Sequence, residues 1–87
     1  PALEGFADHY FDWVYIDGNH NEPFVGDDLD LARRKVKPGG IISGDDFNWQ
    51  TAIGAPVRTA VEKLMAELGD GAKLKLIANQ YLIRLAA

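Results

Sequence analysis

Two short apolar runs, FDWVYID at 11–17 and GIISGDD at 40–46, each end in acid, and a segment of helical period lies between them. No other feature of the chain limits its fold as strongly. Runs of this length, rich in aromatic and β-branched residues, read as strands. Between them Val25, Leu29, Ala32 and Val36 recur at i, i+4, i+7 and i+11, the apolar stripe of a helix expected over 24–35. Asp27, Asp28 and Asp30 lie toward its start and Arg33, Arg34 and Lys35 at its end, an order that suits the helix dipole. A strand, a helix and a strand in succession make a parallel unit with a right-handed crossover.

The connections follow from local chemistry. GNHNEP at 18–23 reads as a loop, and KPGG at 37–40 reads as a tight turn that stops the helix. KPGG is not a phosphate loop, because it lacks the loop's lysine and serine and precedes a strand. Residues 1–10 read as a helix tail and a loop, and 47–55 as a loop. Pro56 takes a first helical position, and Val57, Ala60, Val61, Leu64, Met65 and Leu68 form a second apolar stripe before a stop at Gly69. KLKLIA at 73–78 and QYLIRL at 80–85 read as strands that pair antiparallel, with Asn79 alone between them. The expectation is one α/β unit over 1–87 with no internal boundary: an open, mostly parallel sheet with flanking helices. Trp13 and Tyr15, inside the first strand, are expected in the core.

Composition narrows the class. At 87 residues the chain is one domain or part of one, and its folding margin is modest enough that a partner subunit, such as a second copy, would help. No apolar run approaches the ~20 residues that cross a bilayer. The absence of cysteine excludes a disulfide framework and thiolate metal sites, in keeping with a cytoplasmic protein. A net charge of −4 with scattered Lys and Arg points away from nucleic acid and anionic membranes. A start at Pro1 rather than Met raises the expectation of a piece of a longer protein.

In open α/β sheets ligands bind outside the carboxyl ends of the strands. Asp17 ends the first run, and Asp45 and Asp46 end the second. Parallel neighbours put those ends ~5 Å apart. Three carboxylates that close repel one another unless a proton or a cation lies between them, and their oxygens suit magnesium, calcium or manganese. His20, three residues past Asp17, is a candidate general base. Trp49, just beyond the acidic pair, is a candidate for contact with substrate. The plainer reading stands beside this one. Aspartate after a strand is common in turns and helix caps, an exposed loop histidine often has no role, and His9 lacks context.

These residues also carry a family resemblance. FDWVYIDGNH, then DDLDLARRKVKPGGIISGDDFNW, then PVRTAVEKLM, is similar to the C-terminal half of a class I S-adenosylmethionine-dependent methyltransferase, closest to the small-molecule O-methyltransferase-like group called methyltransferase family 24. The resemblance implies that 11–17 and 40–45 are the fourth and fifth strands of a seven-stranded sheet, and that the last strand is reversed. It implies a metal site at Asp17, Asp45 and Asp46, a base at His20, and a methionine-end border to the cofactor pocket at Asp17 and Gly18. It also implies S-adenosylmethionine and a divalent metal, best magnesium, as cofactors and a small-molecule methyl acceptor as partner. The glycine-rich turn that holds most of the cofactor in this family has no counterpart in the 87 residues. Two other functions remain open: a methyltransferase remnant acting as a non-enzymatic dimerising module, and a metal-dependent α/β hydrolase using the same acids.

Overall fold

Phe11–Ile16 forms strand β1, and Phe24–Lys35 forms helix α1. Strand β2 follows at Val36–Gly44, helix α2 at Pro56–Leu68, and strands β3 and β4 at Ala72–Ile77 and Gln80–Leu85. This computed structural model describes residues 5–16, 24–50, 52 and 54–87. The strands form one sheet in the order β1-β2-β4-β3. β1 runs parallel to β2, while β4 is antiparallel to both β2 and β3. β1, β2 and β3 therefore point one way, and the last strand is inserted in reverse between β2 and β3. The α/β class and the reversed last strand expected from the sequence are both present.

Residues opposite one another across a ladder share a face. Val14, Ile42, Ile83 and Leu74 make one such row, and Ile16, Gly44, Tyr81 and Leu76 the next. Val14, Ile42 and Ile83 are buried against Leu29 and Ala32 of α1 and Val57, Ala60, Val61 and Leu64 of α2. Both helices thus cover the same face. The described members of the expected stripes are buried, with Met65 and Leu68 packed at their margin; the Val25 side chain lies outside the described residues. Val36 belongs to β2 rather than to the helix, but it is fully buried beneath it. α2 begins with Pro56 in its first turn, where the missing N–H costs nothing, and ends at Gly69, whose N–H donates to the Met65 carbonyl.

Three expectations change. KPGG does not turn the chain away from the sheet. It lies within β2, where the register passes from Phe11 opposite Val36 to Trp13 opposite Ile41. The extra residues bulge out of the ladder, and a Cβ on Gly40 would stand 2.5 Å from Val36 Cγ1 and 2.7 Å from the Asp12 carbonyl. Second, Trp13 and Tyr15 are not core residues. They are 61% and 46% exposed, because they occupy the face opposite the helices. Third, His9 has a structural context: its Nδ1 lies 3.3 Å from the Val36 carbonyl, and its N–H donates to the Arg34 carbonyl.

The segment before β1 is pinned by a buried cation. Lys35 Nζ donates to the Phe6 carbonyl at 2.6 Å and to Asp8 Oδ1 at 2.9 Å. The hydrogen bond from Lys35, and then its charge, hold the Asp8 carboxyl below the usual carboxylate range. No helix among the described residues is long and apolar enough to cross a membrane.

Two outcomes follow. A lowered folded pKa means that the Asp8–Lys35 contribution is complete above the ordinary carboxylate range and fades as pH falls through the lowered value. Asp8→Asn should therefore reduce Tm at neutral pH, and the difference from the parent should vanish in strong acid; thermal melts across pH check this. Ala78, in the β3–β4 turn, has φ +53. That region costs a Cβ-bearing residue roughly 1–2 kcal/mol, so Ala78→Gly should raise stability by about 0.5 kcal/mol after its entropy cost, measured by urea unfolding.

Candidate functional site

The sheet directions place the carboxyl ends of β1, β2 and β3 along one edge. Ile16 lies opposite Gly44, Gly44 opposite Tyr81, and Ile77 opposite Gln80. The chain leaving β2 there is Asp45 and Asp46, both half-buried. Two residues, Ala78 and Asn79, join β3 to β4 at the same edge. The sequence left little room for a hairpin at this point, but a two-residue turn is enough. Its positive φ at Ala78, with none at Asn79, follows the sign pattern of a type II′ turn.

The turn and the acidic loop are tied together. Gln80 Nε2 donates to Asp45 Oδ1 at 3.0 Å, and Asn79 Nδ2 donates to Asp46 Oδ1 at 3.3 Å. Asn79 Oδ1 in turn accepts from the Asn48 backbone N–H at 2.7 Å, and the Asn79 carbonyl accepts from the Phe47 N–H at 2.9 Å. Asn79 thus grips three residues of one loop. The loop closes on itself where the Trp49 N–H donates to the Asp46 carbonyl at 3.0 Å. Asp46 has φ +62, a conformation that aspartate tolerates better than most residues. Phe47 is buried, with the Arg58 guanidinium 5.2 Å over its ring, and Arg58 Nη2 donates to Asn48 Oδ1 at 3.0 Å. Arg58 thereby links the loop to the first turn of α2.

Tyr81 is the site residue that sequence reading did not single out. It is 2% exposed, and its ring and hydroxyl fill the space above Gly44, where a Cβ would stand 2.6 Å from Cζ. Burial raises its pKa, with Tyr15, Asp28 and Asp45 adding to the effect. The hydroxyl is consequently a neutral donor or acceptor at physiological pH and not a base.

The structure brings Asp45 and Asp46 to the edge beside the end of β1. Trp49 is 37% exposed on the loop that follows them. Asp17, Gly18 and His20 lie outside the described residues. Among the described residues no group of three or more His, Cys, Asp or Glu could hold a metal ion. The arrangement offers two hydrogen-bonded carboxylates, amide donors and a protonated phenol around the carboxyl ends of parallel strands, the usual ligand position in an open α/β sheet.

A family model for a methyltransferase domain matches residues 1–47, from the start of the chain through β1, α1, β2 and the acidic pair. The match covers more than half of the chain, and the chain belongs to that family. No curated protein matches it. The α2 helix, the β3–β4 hairpin and Trp49 lie beyond the matched residues.

Asn79→Ala would remove both side-chain bonds to the acidic loop and keep the carbonyl bond. It should cost about 1 kcal/mol in urea unfolding and shift Trp49 emission to the red as the loop loosens. Unchanged stability and emission would mean that Asn79 does not organise the loop.

Proposed function

We propose that this chain is the C-terminal half of a class I S-adenosylmethionine-dependent O-methyltransferase, and that its strand ends form the methyl-acceptor side of the active site. One observation carries the reading. In a methyltransferase-family chain, β1 and β2 are adjacent and parallel, with Ile16 opposite Gly44, and both run straight into acid, Asp17 after one and Asp45–Asp46 after the other. The order β1-β2-β4-β3, with β4 reversed, supports it further, because the family resemblance calls for a reversed last strand.

In this reading Asp17 and Gly18 border the methionine end of the cofactor, whose remaining contacts belong to a preceding glycine-rich half. Trp49 walls the acceptor, a small molecule with a hydroxyl. Bound S-adenosylmethionine would supply a sulfonium methyl group, its carbon–sulfur bond breaking and leaving a neutral thioether as the acceptor oxygen bonds the carbon, and His20 would take the hydroxyl proton. The fold's contribution is alignment of oxygen, carbon and sulfur.

A divalent cation, best magnesium, fits the donor type but not yet the donor number. Asp45 and Asp46 supply hard carboxylate oxygens, each also accepting an amide N–H. Asp17 would complete the set. A bound cation would lower the pKa of the acceptor hydroxyl.

The test uses the intact parent enzyme carrying the cofactor-binding half, with radiolabelled S-adenosylmethionine and magnesium. Asp45→Ala should lower methyl transfer by roughly 100-fold or more, and chelation should do the same. Full activity in Asp45→Ala would contradict the acceptor-side role of the acidic loop, and full activity after chelation would remove the metal from it.

A further inference from the structure

One cation beside the acidic loop has no task in the proposed chemistry. Arg58, in the first turn of α2, is half-buried. Its Nε is the one buried side-chain nitrogen or oxygen among the described residues that has no hydrogen-bond partner. An unpaired buried donor is costly and calls for an explanation. The guanidinium is nevertheless held in place. It lies 5.2 Å over the ring of buried Phe47, and Nη2 donates to Asn48 Oδ1 at 3.0 Å. Asn48 is fixed in turn, because its backbone N–H donates to Asn79 Oδ1 at 2.7 Å, and Asn79 also holds Asp46. Bonds thus run from Asp46 through Asn79 and Asn48 to Arg58. Both contacts that fix the guanidinium are with neutral groups, a ring and an amide oxygen. None of the ion pairs among the described residues, Arg33–Glu67, Lys35–Asp8 and Lys37–Asp12, includes it. Strands of a preceding half join this sheet at the free edge of β1. Helix α2 packs against α1 and β3, on the far side, so Arg58 lies away from that junction.

We propose that Arg58 determines specificity by receiving a carboxylate carried by the methyl acceptor, which is therefore a small hydroxy acid. A guanidinium presents parallel N–H donors that match the two oxygens of a carboxylate, and the Asn48 bond uses only one of its donors. Stacking on Phe47 fixes one face of the guanidinium plane, so little side-chain freedom is left to lose on binding. An amide in place of the carboxylate lacks the charge that this pairing needs. A phosphate monoester fits less well, because Asp45 and Asp46, on the same loop as Asn48, repel its second negative charge. Trp49, the neighbour of Asn48 in the chain, offers aromatic surface to the body of the acceptor. The hydroxyl then faces the acidic pair while the carboxylate is held at α2. The acceptor role rests on the methyl-transfer reading, whereas carboxylate binding at Arg58 stands without it.

Nuclear magnetic resonance of the intact parent enzyme tests this, with the Arg58 Nε–H signal as the probe. Adding para-hydroxybenzoate should move that signal saturably. Both para-hydroxybenzamide and phenyl phosphate should bind about tenfold more weakly or worse. Arg58→Lys keeps a cation near Phe47 but loses the fork. It should weaken binding of the benzoate by about tenfold, read from the Trp49 indole signal, and leave the benzamide unchanged. Circular dichroism verifies the fold of the variant, and the comparison of ligands decides the matter even if Arg58→Lys does not fold. An Arg58 signal that the benzoate does not move overturns the proposal. So does a benzamide or phenyl phosphate that binds as tightly, or a folded Arg58→Lys that binds the benzoate as the parent does. If the benzoate moves the Arg58 signal but the enzyme methylates no hydroxy acid, the carboxylate site stands and the methyl-transfer reading falls.

Discussion

The open edge of this molecule depends on the reversed insertion of β4 between β2 and β3. Ile83 lies in the middle of that insertion, with no exposed surface, paired with Ile42 on one side and Leu74 on the other. Because β4 runs backward, it starts where β2 ends. Gln80 and Asn79 therefore arrive beside Asp45 and Asp46 without any further chain. A parallel β4 would have put its carboxyl end there instead and sent the β3–β4 connection across a helix.

From this one constraint the site follows in steps. The turn that reverses the chain supplies the side chain that organises the acidic loop, since Asn79 bonds to Asp46, Phe47 and Asn48 together. Tyr81, the second residue of β4, fills the space that Gly44 leaves open. Local turn geometry and site geometry are thus the same structural fact. Backbone strain sits there as well, at Ala78 and Asp46, on the two sides of the contact.

Much of this was legible in the sequence. The helical stripes Leu29–Ala32 and Val57–Ala60–Val61–Leu64 and the acid-terminated strands reported their structure directly, because burial on one helical face imposes a period on the chain. The reversal of the last strand came from the family resemblance and not from the residues of β4. Trp13 and Tyr15 misled because FDWVYI is apolar on both parities, the pattern of a strand covered on two faces, whereas α1 and α2 cover only one. KPGG carried turn residues that serve equally in a bulge, and no local signal separates the two. Asn79 looked like an awkward boundary since its side-chain partners are 31 and 33 residues away in sequence. Tyr81 gave no signal beyond that of an ordinary strand residue. Asp17, Gly18 and His20, which the sequence marked most strongly, lie outside the described residues, so the acidic pair after β2 carries the structural part of the site.

The most direct check is the nuclear Overhauser pattern across the sheet in solution. The account predicts antiparallel cross-strand contacts from Ile83 to both Ile42 and Leu74, and from Tyr81 to both Gly44 and Leu76. Contacts running directly from Ile42 to Leu74, with Ile83 paired on one side only, would place β4 at the sheet edge and contradict the arrangement on which the candidate site rests.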